Sequence, residues 1–139
     1  MYSIEKKDFG YKLTFQGIIS QEELQQWLRE SKEILSAGPS KFSVFVDMRK
    51  MELLPVDAQS SMHEGQTYYK SMGMERSVVI FSSDLTSMQF KLIAKRTGIY
   101  AQERYIDASE DPDWEKAGFD WILNGIEPID KTIKISIQK

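Results

Sequence analysis

The sequence predicts an α/β fold built on a single mixed β-sheet, and three observations support that prediction. Two alternating segments flank a glycine near the start of the chain. Two short apolar runs, FSVFVDM and SVVIF, are each followed by an amphipathic helical segment. Strands and helices alternate along the rest of the chain, which is typical of parallel sheets with right-handed crossovers. The expected element order is β-β-α-β-α-β-α-β-α, and the N-terminal hairpin makes the sheet mixed.

Local patterns predict the first two strands and the first helix. YSIEKK and YKLTFQ alternate apolar and polar residues around Gly10, which can take a positive φ, so they predict an antiparallel β-hairpin. Ser20 and Glu23 form a capping box at the start of a helix. A stop signal at Gly38 and Pro39 ends that helix. Its apolar stripe consists of Leu24, Trp27, Leu28, Ile34 and Leu35.

The strand FSVFVDM comes next, and Pro55 then opens the second helix, where proline is tolerated in the first turn. Gly73 is the expected stop of this helix. SVVIF is a near-continuous apolar run, as expected for a strand that is covered on both faces. The inner face of the second helix consists of Ala58, Met62, Gly65, Tyr69 and Met72.

The last two helices flank a short predicted strand, ERYID. Residues 82–84 can cap the third helix, and Gly98 marks its end. Pro112 starts the fourth helix, which Gly125 and Pro128 stop. We expect the third helix to turn Leu85, Met88, Leu92 and Ile99 inward, and the fourth to turn Trp114, Ala117, Trp121 and Ile122 inward.

Length and composition limit the class of protein. With 139 residues, 41% apolar and 28% charged, the chain fits one globular domain, which we place at residues 1–126. A net charge of -3 argues against nucleic-acid binding, which requires a basic face. No window approaches the ~18 apolar residues of a membrane span, and the start has no apolar signal core. We therefore expect a soluble cytoplasmic protein without stable membrane insertion.

Residues 127–139 form a C-terminal tail with a pattern of its own. Ile133, Ile135 and Ile137 alternate with polar residues. Such alternation predicts a strand that could add to the edge of the sheet or be exchanged with another copy of the chain, which would make a homodimer.

Polar residues that follow the two apolar strands are the first candidates for a site. In open α/β sheets, ligands and partners bind at the carboxyl ends of the strands. Arg49 could bind a carboxylate or phosphate there beside Asp47, or the two residues could simply pair with each other. Ser82 and Ser83 could help the helix amides to hold an anion, or they could serve only as helix caps.

Apolar candidates lie nearby in the sequence. Met51, Leu53 and Leu54 precede Pro55 in a predicted loop, where they would form an apolar contact surface or the lip of a pocket. Tyr68 cannot face the core together with its neighbour in the helix, so we expect it to be exposed and available to an interface.

No motif indicates an enzyme, and we expect no catalytic residue, metal or cofactor. His63 is the only histidine, and the chain has no cysteine, so zinc-ligand spacing is absent. A Gly-x-Ser-x-Gly elbow is absent too, as are the glycine motifs of nucleotide-binding loops.

The hairpin, the strand ending in Asp47, the SVVIF strand and the ending Ala117…Trp121-Ile122 together resemble the SpoIIAA-like, or STAS-type, domain over residues 1–126. STAS domains occur in bacterial anti-sigma-factor antagonists and in the cytoplasmic tails of sulfate transporters. The resemblance implies a non-enzymatic interaction or regulatory module with a protein partner. A branch with this layout is grouped with the CRAL-TRIO lipid-transfer fold, which implies the alternative of a carrier for a small apolar or anionic, acidic-headed ligand.

One segment departs from the pattern of the family. Anti-sigma-factor antagonists carry Asp-Ser-Ser-Gly after the third strand, and a serine there is phosphorylated. The matching segment here is Asp47-Met48-Arg49-Lys50, with Arg49 in place of the phosphoacceptor. Phosphorylation would add about two negative charges at this point, whereas this chain carries a fixed positive charge. We therefore expect no phosphorylation-driven partner switch.

Overall fold

A five-stranded mixed β-sheet with helices on both faces organises the chain in the computed structural model, which describes residues 1–129. The strands lie side by side in chain order, the first two antiparallel and the rest parallel. This confirms the predicted fold class. The strands are β1 (Tyr2–Lys7), β2 (Gly10–Gly17), β3 (Phe42–Met51), β4 (Met74–Phe81) and β5 (Glu103–Asp107), and the helices are α1 (Gln21–Ser36), α2 (Val56–Ser71), α3 (Asp84–Thr97) and α4 (Trp114–Asn124).

The predicted apolar strand FSVFVDM lies at the centre of the sheet as the first part of β3. It pairs in parallel with β2 on one side and with β4 on the other. All seven of its residues are buried. A strand in this position needs apolar cover on both faces, which explains why its sequence is nearly continuous in apolar residues.

Side chains of β3 point alternately to two separate apolar clusters. Val44 and Val46 belong to the larger cluster, which lies beneath α1, α2 and α3. Phe45 belongs to the smaller cluster, which lies beneath α4. The helical side chains of the larger cluster include Leu24, Trp27, Met62, Tyr69, Phe90 and Ile93, and those of the smaller cluster are Trp121 and Ile122.

Helices α1 and α2 approach each other closely at Gly65. A Cβ atom at this position would overlap the six-membered ring of Trp27. That ring stacks on Tyr69 with 5.5 Å between centroids, and the Tyr69 hydroxyl is hydrogen-bonded to Ser31 Oγ at 2.8 Å. Glycine inside a helix costs up to about 1 kcal/mol relative to alanine, and the close approach of the indole explains why it occurs here.

The inward face predicted for α3 is wrong. Leu85, Met88 and Leu92 are 53–60% exposed, whereas Ile99, beyond the end of the helix, is buried as expected. Both faces of α3 have helical spacing, and the sheet accommodates the face that combines Phe90 and Ile93 with three smaller side chains. The residues of α3 that are buried are Thr86, Ser87, Phe90, Ile93 and Ala94.

Strand β3 continues to Met51, beyond the predicted end of the strand. A register shift between Thr14 and Gln16 lets β2 keep pairing with Lys50 and Met51. Part of the predicted loop is therefore strand. Met51 and Leu54 are buried, so of the three residues expected to form an apolar contact surface or pocket lip, Leu53 alone is exposed, at 48%.

The strand predicted within residues 130–139 lies outside the described residues. Within residues 1–129, no helix has both the length and the apolar character that crossing a membrane requires.

Candidate functional site

The eight candidate residues lie in three separate places on the fold. One place is beneath the start of α4, the second is at the carboxyl ends of β3 and β4, and the third is between α1 and α2. The first holds Asp47 and Arg49; the second holds Met51, Leu53, Leu54, Ser82 and Ser83; and the third holds Tyr68.

Asp47 and Arg49 pair with each other. Arg49 Nε donates to Oδ1 of Asp47 at 3.0 Å, and Arg49 Nη2 donates to Oδ2 at 2.9 Å. The backbone N–H of Arg49 also donates to Oδ1, at 3.1 Å. The guanidinium lies over the ring of Trp114, with Cζ 4.1 Å from the centroid. Residues two apart on a strand point to the same face, so this pairing follows from their spacing.

The pair fastens the first turn of α4 to the sheet. Burial opposes ionisation of Asp47, but the hydrogen bonds and charge of Arg49 outweigh burial and hold the pKa of the Asp47 carboxyl below its usual value. Arg49 already has a bidentate carboxylate and an aromatic face as partners. The Asp47 carboxylate occupies two of the three guanidinium nitrogens, so the geometry fits the structural alternative.

A shallow groove lies at the carboxyl ends of β3 and β4. Met51, Leu53 and Ser83 border it, together with Ile18 and Leu85. The neighbouring strands bring these residues together, as expected from their positions in the sequence. Ser83 caps α3, because its Oγ accepts a hydrogen bond from the backbone N–H of Thr86 in the first turn, at 3.5 Å.

Large apolar side chains extend from this groove along α2 and α3. We call this set the apolar edge surface. Val56 begins α2 beside the groove, and Leu85 continues along α3 at helical spacing into Met88 and Leu92. All its members are 48–85% exposed. The apolar edge surface consists of Ile18, Leu53, Val56, Leu85, Met88 and Leu92.

Tyr68 does not join either group. Its hydroxyl donates to the backbone carbonyl of Lys32 at 3.4 Å, and Lys32 Nζ lies 5.7 Å from the ring centroid. The side chain is half-buried between α1 and α2. Among residues 1–129, no cluster of three or more His, Asp or Glu side chains could hold a metal ion.

A cavity of about 40 Å³ lies within the larger apolar cluster. Glu103 lies in its wall and is 5% exposed. Ser77 Oγ donates to Glu103 Oε2 at 2.7 Å, and Tyr105 OH donates to Oε1 at 2.6 Å. Within the described part of the chain, no cation pairs with this carboxyl. Burial therefore raises the pKa of Glu103 to about 7, although both hydrogen bonds oppose the shift.

Sequence reasoning missed Glu103 and the exposed face of α3. In ERYID, Glu103, Tyr105 and Asp107 alternate with Arg104 and Ile106. That alternation gave no reason to bury the glutamate, because charged residues at strand ends are ordinarily solvated. The only available signal was Ser77, a polar residue at the start of the otherwise apolar run on β4.

Replacing Arg49 with lysine is expected to lower the free energy of unfolding by about 1 kcal/mol, because lysine keeps the charge but loses the bidentate pairing and the stacking on Trp114. Chemical denaturation measures the loss. The neighbouring exposed residue provides the control, and Lys50→Ala should change stability by less than about 0.5 kcal/mol. In a Trp114→Leu background the cost of Arg49→Lys should shrink; an undiminished cost would contradict the stacking.

Replacing Glu103 with glutamine is expected to stabilise the protein at alkaline pH. The folded-state pKa lies above the ordinary 4.5, so this group's contribution is fully present below pH 4.5 and is lost as the pH rises to about 7. The wild type should thereby lose about 3 kcal/mol that the variant retains. Denaturation of both proteins at pH 4.5 and pH 8 measures the difference. A gap between the two proteins that stays constant across this range would overturn the assignment.

Comparison with known proteins bears on the fold through solved structures. No protein-family model matches the sequence, and a search of curated proteins finds no match. Among solved structures, the chain is similar to an uncharacterized protein of the DUF3478 family, with a SpoIIAA-like fold, from Shewanella loihica PV-4.

The similarity spans nearly all of both chains. It covers 88% of this chain and 93% of that protein, with a TM-score of 0.59 and 16% sequence identity. At this identity the match concerns the fold alone. The mixed five-stranded sheet, its N-terminal hairpin and its four helices agree with that match. This chain therefore has the SpoIIAA-like fold that its sequence pattern predicted.

Proposed function

We propose that the protein is a non-enzymatic interaction module of the SpoIIAA-like type, which docks a protein partner on the apolar edge surface. The observation that carries this proposal is the exposure of six large apolar side chains on one continuous part of the fold. Contiguous apolar surface of this kind is typical of docking sites rather than of an inert surface.

The position of the apolar edge surface supports docking. It covers the carboxyl ends of the parallel strands and the starts of α2 and α3, where α/β proteins place their binding sites. Further along α3, Met88 and Leu92 continue this surface. Docking there would bury side chains that the fold itself leaves in water, which makes contact with a partner favourable.

Charges around the surface indicate the chemistry of the partner. Three exposed carboxylates, Glu52, Asp57 and Asp84, and one half-buried cation, Lys91, each stand next to a member of the apolar edge surface. Charged groups at the rim of an interface steer the partner and favour one orientation. We therefore expect a partner with two or three apolar anchor side chains and basic residues around them.

Replacing three members of the surface tests this proposal. Leu85, Met88 and Leu92 are each changed to serine in one variant. The control changes Gln25, Arg29 and Glu33, which are exposed on α1, to serine, so that both variants carry the same helix-propensity cost. Candidate partners are crosslinked to the wild type in cells and identified by mass spectrometry. Each partner is then purified and titrated against the wild type, the α3 variant and the α1 control.

We expect the serine variant on α3 to weaken binding at least about tenfold, because several apolar contacts of about 1 kcal/mol or more are lost together. The α1 control should bind like the wild type. Both variants should keep cooperative unfolding, which shows that any loss is local. A partner that binds the wild type and the α3 variant equally would rule out this surface.

A second candidate function is favoured by the internal cavity. The CRAL-TRIO resemblance implies a carrier, and the cavity has flexible walls that include Met48, Met62 and Met74. At about 40 Å³ it is too small for an acyl chain unless a helix moves. A carboxyl group in its wall, Glu103, favours a ligand with a neutral or basic polar group over an acidic one.

Native mass spectrometry of protein purified without detergent tests the carrier. A small apolar molecule should appear as added mass, and it should be lost when Met62→Trp fills the cavity. Val56→Trp, on the exposed surface, is the matched control and should leave the added mass in place. Protein that carries only its sequence mass, and that gains none with a panel of short alcohols and amines, would exclude this function.

A further inference from the structure

The outer side of β5 forms a groove of about 280 Å³. Among the described residues, β5 pairs with β4 on one side, and no strand pairs with its other side. The groove runs from Arg104 along the strand to the loop before α4, and Pro128 and Ile129 also border it. It contains none of the six apolar members of the apolar edge surface proposed above, although Asp84 lies beside both.

The backbone of β5 leaves part of this edge open. Ser77 N–H donates to the carbonyl of Gln102, and Ala108 N–H donates to the carbonyl of Phe81. Residues alternate in direction along a strand, so Glu103, Tyr105 and Asp107 turn their backbone groups outward. Two of the outward backbone carbonyls already accept hydrogen bonds. The Glu103 carbonyl accepts from Arg104 Nη1, and the Asp107 carbonyl accepts from the N–H groups of Glu110 and Asp111. Among residues 1–129, three N–H groups and the Tyr105 carbonyl have no partner and remain to pair with a further strand.

The chain enters this groove at the end of its described part. Arg104 binds Glu127 through two hydrogen bonds of 2.7 Å, which fix the segment after α4 beside β5. Residues 130–139 follow directly, and ten residues can span about 33 Å when extended. Their alternation of isoleucine with polar residues fits a strand.

Charge complementarity also matches residues 130–139 to the groove. Lys131, Lys134 and Lys139 outnumber the one acid in this segment, Asp130. Carboxylates outnumber cations in the groove, where Asp84, Asp107, Glu110, Asp111 and Glu127 line the walls with Lys91 and Arg104.

Handedness distinguishes a strand supplied by the same chain from one supplied by another copy. Helices α1, α2 and α3 cover one face of the sheet while the strand order advances from β2 to β5. Helix α4 covers the opposite face. A parallel strand from the same chain beside β5 would therefore close a left-handed crossover, whereas about 98% of such connections are right-handed.

We propose that residues 130–139 of one copy of this chain add a strand to the free edge of β5 in a second copy, so that two copies exchange their C-terminal segments. Exchange satisfies the open backbone groups without a left-handed crossover within one chain. It also covers the edge strand, which otherwise invites uncontrolled pairing.

Zero-length crosslinking in isotope-mixed protein tests this proposal. Equal amounts of ¹⁵N-labelled and unlabelled full-length chain are unfolded and refolded together, then treated with a carbodiimide that joins lysines to nearby carboxylates. Mass spectrometry then examines crosslinks from Lys131 and Lys134 to Asp107 and Glu110. Random pairing of two exchanged copies makes about half of these crosslinks mixed in isotope. Crosslinks of uniform isotope only, or none from this segment to the groove, would overturn the proposal.

A pair of variants adds an independent measurement. Ile135→Pro removes a backbone donor and should convert the dimer to a monomer in light scattering coupled to gel filtration. Ile135→Val keeps the donor and the β propensity, and it should remain a dimer. A wild type that is monomeric, or a proline variant that remains dimeric, would likewise contradict the exchange.

Discussion

The central position of β3 is the constraint on which the rest of the structure depends. Because β3 pairs on both sides, each of its faces must be covered. Val44 and Val46 require α1, α2 and α3 on one face, and Phe45 requires α4 on the other. Asp47 falls on the α4 face, where a carboxylate needs a partner, and Arg49 supplies one from the same strand. The most conspicuous charges of the sequence thereby become part of the scaffold.

The sequence predicted which segments form strands and helices. It predicted the buried face of α1 correctly, but that of α3 wrongly. Helix α1 has one strongly apolar stripe, so Leu24 and Trp27 could only face the sheet. Helix α3 has two stripes of helical spacing: Leu85 and Met88 belong to the exposed one, and Phe90 belongs to the buried one. Periodicity identifies a helix but does not choose between two such stripes. That choice depends on how closely the helix approaches the sheet, which is a tertiary property.

Part of the candidate site was predictable for a similar reason. Adjacent parallel strands bring their carboxyl ends together, so Leu53 and Ser83 meet at one groove, as their places in the sequence indicate. Asp47 does not join them, because β3 continues to Met51 after the register shift in β2. Because the β2–β3 pairing resumes after this one-residue shift, β3 ends at Met51, beyond Asp47 and Arg49. The sequence could not predict the burial of Glu103 either, because that burial depends on the packing of α2 and α3 over β5.

Helix α3 contributes both to the apolar edge surface and to the wall of the cavity beside Glu103. Its inward face contains Thr86 and Ser87, and Ser87 Oγ is buried without a hydrogen-bond partner among residues 1–129. A helix gains most of its stability from the apolar area that it buries, and α3 leaves three of its large apolar side chains in water. It is thus held less strongly by the core than α1 is. Phe90 borders the cavity whose wall includes Glu103, so a partner docked on the outer face of α3, as proposed above, would also stabilise the wall of that cavity.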